Sequence, residues 1–141
     1  MKKLTKVSDY IWRRLKQITN SKHVFLLSGG GMMHLLDSLG KSTFKPFPMH
    51  HEQAASIAAY AYGRTVNSLG ICLVTSGPGA TNALTGVAAA YTDSVPMIFI
   101  SGQVSTLFSQ RKKNFRQLGF QEFDIINSIR STTKYSKYIK N

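Results

Sequence analysis

Glu52 is the residue of this chain best placed to do chemistry. It stands in His51-Glu52-Gln53, between the extended, proline-punctuated Phe44–Met49 and the small-residue run Ala54–Tyr62. Its carboxylate therefore falls where a strand hands over to a helix, a position at which the helix dipole favours negative charge. Acids are scarce: six Asp or Glu stand against eighteen Lys or Arg, and Glu52 is the sole acid between Asp37 and Asp93. A lone carboxylate at such a junction is suited to proton transfer or to accepting a strong hydrogen bond from a ligand. The triplet also reads as an ordinary helix cap. His51 is open in the same way, either a polar neighbour of a site or the capping residue.

Two glycine turns offer a second kind of chemistry. Ser28-Gly29-Gly30-Gly31 and Ser76-Gly77-Pro78-Gly79 each separate an apolar run from a helical one. Neither is a phosphate fingerprint, because the first is not GxGxxG and the second lacks a following Lys-Ser/Thr pair. Gly77 and Gly79 allow backbone to approach a flat ligand, Pro78 stiffens the turn, and the helix opening at Ala80 presents free N–H groups. Taken singly, each turn reads equally well as a tight strand-to-helix connection. Cys72, the only cysteine, lies inside the apolar Gly70–Thr75 run and reads as a small buried hydrophobe. His50 and His51 are adjacent and lack the spacing of a zinc site, so no metal ligand set is expected from this chain.

These groups need elements to hold them. His23–Leu27, Phe44–Met49, Gly70–Thr75 and Pro96–Ile100 read as strands, the second weaker, its two prolines suggesting an edge or a short ladder. Helices are expected at about 32–39, 52–66 and 80–91, preceded by an amphipathic helix carrying Val7, Ile11, Leu15 and Ile18 at helical spacing. Near-continuous apolar strands alternating with helices imply an α/β fold, a parallel sheet with helices on both faces. Ligands bind such sheets at the carboxyl ends of the strands. Ser28–Gly31, His50–Gln53, Ser76–Asn82 and Ser101–Val104 would then converge on one rim. Beyond it, Ser109–Asn114 reads as a polar basic loop, Phe120–Ile126 as a short amphipathic stretch, and 131–141 as the start of a linker.

A length of 141 residues suits one domain with a real core. The formal charge of +12 raises the question of nucleic acid, but the excess sits at the two ends. Residues 24–110 hold three basic and three acidic groups, so no nucleic-acid partner is expected. No apolar run approaches the roughly 20 residues of a membrane span, and a lone cysteine suits a cytoplasmic setting.

Taken in series, the motifs resemble the N-terminal pyrimidine-binding domain of thiamine-diphosphate enzymes, in the acetolactate synthase-like family. The matching pieces are His51-Glu52-Gln53-Ala54-Ala55, Thr75-Ser76-Gly77-Pro78-Gly79-Ala80-Thr81-Asn82 and Thr92-Asp93-Ser94-Val95-Pro96. Ile100-Ser101-Gly102-Gln103-Val104 and Arg116-Gln117-Leu118-Gly119-Phe120-Gln121-Glu122 follow in the family's order. The resemblance implies a flavodoxin-like domain over residues 1–130. It implies that Glu52 hydrogen-bonds N1′ of the cofactor's aminopyrimidine and favours the imino form that takes the thiazolium proton.

Gly29, Gly30, Pro78, Gly79 and Asn82 correspond to cofactor-binding positions, and Gln121 to a catalytic one that orients a 2-oxo acid. The Arg-Gln-Leu-Gly form leans toward sugar-pathway members of the family. Leu27-Ser28-Gly29-Gly30 departs from the usual Tyr-Pro-Gly-Gly, and Ser105 from a usual proline. The family binds diphosphate and Mg²⁺ through a further domain with a Gly-Asp-Gly…Asn motif, which this sequence lacks. The resemblance thus implies half a site, completed by a partner domain or subunit in a homo- or hetero-oligomer, with no residue here arguing for FAD. The alternative is a catalytically silent fragment or a protein-interaction module that keeps the fold.

Overall fold

The third strand, β3 (Gly70–Val74), is buried at every position and forms the centre of the molecule. Its side chains alternate between two cores. Ile71 and Leu73 join Val24 and Leu26 of β1 (His23–Leu26) against Trp12 and Leu15 of α1 (Val7–Ile18) and Leu39 of α2 (Met33–Gly40). Cys72 and Val74 join Ala55 and Ala59 of α3 (Glu52–Val66) and Ala80 of α4 (Pro78–Asn82) on the other face. In this computed structural model, which describes residues 4–109 and 116–139, helices therefore cover both faces of the sheet.

The sheet has four parallel strands in the order β2-β1-β3-β4, with β2 at Lys45–Pro48 and β4 at Met97–Ser101. The chain reverses its direction of travel across the sheet between β1 and β3, where loops diverge and a crevice opens at the carboxyl ends. As its prolines suggested, β2 lies at an edge. No described helix is long and apolar enough to cross a membrane.

Two elements differ from the sequence expectation, and a third is defined more closely. The buried face of α1 is centred on Ser8, Trp12 and Leu15, leaving Val7 and Ile18 exposed. The Trp12 indole donates to Leu35 O at 2.9 Å and packs edge-on against Phe44, so the large aromatic decides the rotation. The expected helix at 80–91 starts earlier, at Pro78, and divides at Ala83 into α4 and α5 (Leu84–Thr92). There the Ala83 N–H bonds Ala80 O, a three-residue turn that interrupts the helical ladder. The amphipathic stretch at Phe120–Ile126 becomes helical only from α6 (Ile125–Ser128), because Gln121 is left-handed at φ 54 and Asp124 provides the cap to Asn127 N–H. A turn of 3-10 helix at Arg130–Thr132 follows, with Ile129 buried before it. Most of the basic loop expected at Ser109–Asn114 lies outside the described residues.

Small residues set how closely α3 and α5 approach. A Cβ built on Gly86 would stand 2.4 Å from Ser56 Oγ, so the two helices meet almost backbone to backbone. The Gln53 side chain then reaches Thr85 Oγ1 at 3.1 Å, fixing the first turn of α3 against α5.

Cys72 has no accessible surface. Burial pushes its thiol up to about 12, and the nearby Glu52 charge adds to the shift. Thiolate is the reactive form, so the native protein is expected to resist iodoacetamide at pH 8 and to alkylate only as fast as it unfolds. A labelling rate independent of added denaturant would contradict this. The unfolded thiol ionises near 9.0 and the folded one near 12, so this group's contribution to stability is lost as pH rises across that window.

Candidate functional site

Four loops meet at the carboxyl rim of the sheet, and Thr75 ties three of them together. It follows β3 directly, and its Oγ1 accepts the Gly31 N–H at 3.0 Å, tying the first glycine turn to the second. Its carbonyl receives the Ser101 hydroxyl at 3.3 Å from the end of β4. Gly29 and Gly79 both press on its side chain: a Cβ on either would fall 2.6 Å from a Thr75 carbon. The extended backbone of Gly29 would suit any residue, so contact with Thr75 is what restricts this position. Sequence reading placed Thr75 at the head of its motif without a role of its own. Its signal was a polar, β-branched residue ending a fully apolar strand.

His51 is the N-cap of α3, its Nδ1 accepting the Gln53 N–H at 3.1 Å. Because the imidazole does the capping, the Glu52 carboxylate is free to turn away from its own helix. It points across to α4, where Asn82 Nδ2 donates to Oε2 at 3.0 Å. Among the described residues, nothing donates to the second oxygen, Oε1. A Cβ on Gly79 would stand 3.2 Å from that oxygen, so the missing side chain keeps its approach open. Glu52 itself is half-buried.

Pro78 occupies the first turn of α4 and is exposed, and Gly79 is buried behind it. Gly77 takes φ 59 and ψ −122, and a Cβ there would lie 2.2 Å from the carbonyl oxygen of Gln121. The backbone of Gln121 therefore sits against the glycine turn, while its side chain is exposed. Gly30 has open space where a side chain would be, with nothing within 4 Å. The structure thus gathers Glu52, Asn82, Pro78 and Gly79 into one crevice, with Gly29, Gly30 and the Gln121 turn on its border. Among the described residues, no three His, Cys, Asp or Glu side chains cluster as a metal site would require.

This arrangement suits a flat nitrogen heterocycle. A carboxylate with one oxygen held and one open can accept a ring N–H. Glycine in place of a larger residue gives the ring room to lie against backbone.

Replacing Thr75 by valine keeps the shape but leaves the Gly31 N–H without its acceptor. The expected cost is about 1–2 kcal/mol by urea denaturation, recovered by Thr75→Ser. Equal stability of the valine variant would remove Thr75 from its joining role.

Residues 5–128 match the family model described as thiamine pyrophosphate enzyme, N-terminal TPP binding domain. The acetolactate synthase large subunit of Cyanidium caldarium is 41% identical over 124 residues, covering 85% of this chain and 20% of the relative. The mitochondrial acetolactate synthase of Schizosaccharomyces pombe is 41% identical over 123 residues, covering 86% and 18%. The isozyme 2 large subunit of Escherichia coli K12 is 38% identical over 118 residues, covering 84% and 20%. The chain spans about a fifth of the length of the curated relatives it matches. Motif order, the parallel sheet and the match over 5–128 lead to one assignment: this chain belongs to the thiamine pyrophosphate enzyme family, as an N-terminal TPP-binding domain of the acetolactate synthase-like kind.

Proposed function

We propose that this domain forms the pyrimidine side of a thiamine-diphosphate site that acts on 2-oxo acids. The observation that carries the reading is the divided state of the Glu52 carboxylate, with Oε2 held by Asn82 and Oε1 open beside Gly79. Bound thiamine diphosphate would supply a thiazolium carbon that, once deprotonated, adds to a carbonyl. Glu52 Oε1 would accept the N1′–H of the ring's imino form, favouring that form, and Asn82 would keep the carboxylate from rotating out of that line. Pro78 and Gly79 bear on the ring, Gly29 and Gly30 border it, and the Gln121 amide orients the oxo acid.

The diphosphate and its Mg²⁺ require a second domain or subunit, so an oligomer with a shared site follows, in the cytoplasm. A pyrimidine ring alone offers limited affinity. The test is to add a diphosphate-binding domain of an acetolactate synthase in trans, with Mg²⁺, and titrate thiamine diphosphate by calorimetry. Saturable binding that needs both polypeptides supports the reading. Binding identical with and without this chain would leave a silent fragment or an interaction module as the better account.

A further inference from the structure

Gln121 stands in a backbone conformation that it would not choose. Its φ of 54 is left-handed, and L residues other than glycine stay in that region only where their surroundings enforce it. Among the described residues its side chain makes no hydrogen bond, so the constraint comes from its neighbours. Gly77 provides a floor, since a Cβ there would meet Gln121 Cβ at 3.0 Å. A floor limits where the turn can sit but does not draw the chain into it.

The draw comes from the loop after β4, which holds the turn on both sides of Gln121. Ahead of it, Val104 packs on Gly119, where an added Cβ would fall 2.8 Å from Val104 Cβ. Behind it, Gln103 Nε2 donates to Phe123 O at 3.1 Å. The other end of the same amide is engaged as well, because Oε1 accepts the Val104 N–H at 2.9 Å. A backbone N–H only donates and a carbonyl only accepts, so these two partners fix which way the amide faces. The sheet sets the place of Gln103 itself. The neighbouring Gly102 N–H donates to Val74 O at 2.9 Å, extending the β3–β4 ladder beyond Ser101. The Gln121 turn is thus registered to β3, the strand that leads into Thr75 and Gly77.

We propose that Gln103 is a positioning residue, which holds Gln121 left-handed and thereby aims the Gln121 amide at the oxo acid. The inference rests on the reading that Gln121 meets the substrate. Gln103 itself touches neither substrate nor cofactor, and the Glu52–Asn82 pair shares no hydrogen bond with it. A mere strut would lower stability without acting through Gln121.

The test uses the full chain with a diphosphate-binding domain in trans, Mg²⁺, thiamine diphosphate, and pyruvate as the probe oxo acid. Gln103→Glu keeps an acceptor for the Val104 N–H and removes the donor to Phe123 O. Gln103→Met removes both and keeps the length. Each is expected to raise KM for pyruvate about five- to tenfold, the effect of one lost hydrogen bond, with calorimetric affinity for thiamine diphosphate unchanged. In a Gln121→Ala background the same changes should leave KM unaltered, because nothing remains to be aimed. In the chain alone, the Glu122 amide, which bonds Gly119 O, should exchange about five- to tenfold faster in Gln103→Glu, with β3 amides unchanged. A rise in KM that persists in the Gln121→Ala background makes Gln103 a strut and overturns the proposal. Unchanged Glu122 exchange overturns it by itself. A wild-type assembly without turnover, or Gln121→Ala with an unaltered KM, overturns this inference together with the reading beneath it. Faster Glu122 exchange in that case would locate the fault in the role of Gln121 and not in the hold on its turn.

Discussion

Glu52→Gln, assembled with a diphosphate-binding domain, is expected to slow exchange of the cofactor's C2 proton by about 10²- to 10⁴-fold. The reasoning is geometric. Asn82 Nδ2 donates to Oε2, so a glutamine amide keeps that bond by turning its oxygen to Asn82. Its NH₂ is then forced into the position now held by Oε1, beside Gly79. A donor stands where an acceptor is needed, and the ring nitrogen loses its partner while the shape is unchanged. Folding should change by less than about 1 kcal/mol, the worth of one carboxylate at a helix N-terminus. The two readouts separate the roles. Normal exchange in the variant removes Glu52 from cofactor activation, whereas a large loss of stability would return it to a structural part.

Gly77→Ala carries the largest expected effect on the fold of the site. The backbone at φ 59 and ψ −122 is one that L residues avoid, at a cost of about 1–3 kcal/mol. The added Cβ would also meet the Gln121 carbonyl at 2.2 Å, and backbone cannot yield as a flexible side chain does. The combined loss is expected to reach about 3 kcal/mol in urea denaturation, with the 119–122 turn displaced. Hydrogen exchange at the Glu122 amide, which donates to Gly119 O, should accelerate ahead of the β3 amides. Gly30→Ala is the matched control, since its Cβ meets nothing within 4 Å and folding should be unaffected. Stability equal in both variants would show that the strained turn does not hold Gln121 in place.

The order of strands and helices was legible because its signals are local. β3 announces itself as an unbroken apolar run, β2 declares an edge through Pro46 and Pro48, and α3 begins where a His-Glu-Gln triplet meets an alanine-rich run. Local signals failed where a distant contact outweighed them. Trp12 rotates α1 because its N–H reaches Leu35 O, 23 residues away. The amphipathic stretch from Phe120 becomes helical only at Ile125 because Gln121 is drawn into the left-handed turn that packs on Gly77. The joining role of Thr75 was hidden for the same reason, since its partner Gly31 lies 44 residues earlier.

Sequence alone determined that this chain would be a parallel α/β layer with one acidic side chain and two glycine turns at its rim, because periodicity, capping and turn chemistry act over a few residues. Only the tertiary structure decided which oxygen of that acid is committed and which is open. Strand order brings α3 and α4 side by side, and this places Asn82 on Glu52 across 30 residues of chain. Hydrogen bonds are sensitive to tenths of an ångström, and spacing along a chain does not fix distances through space.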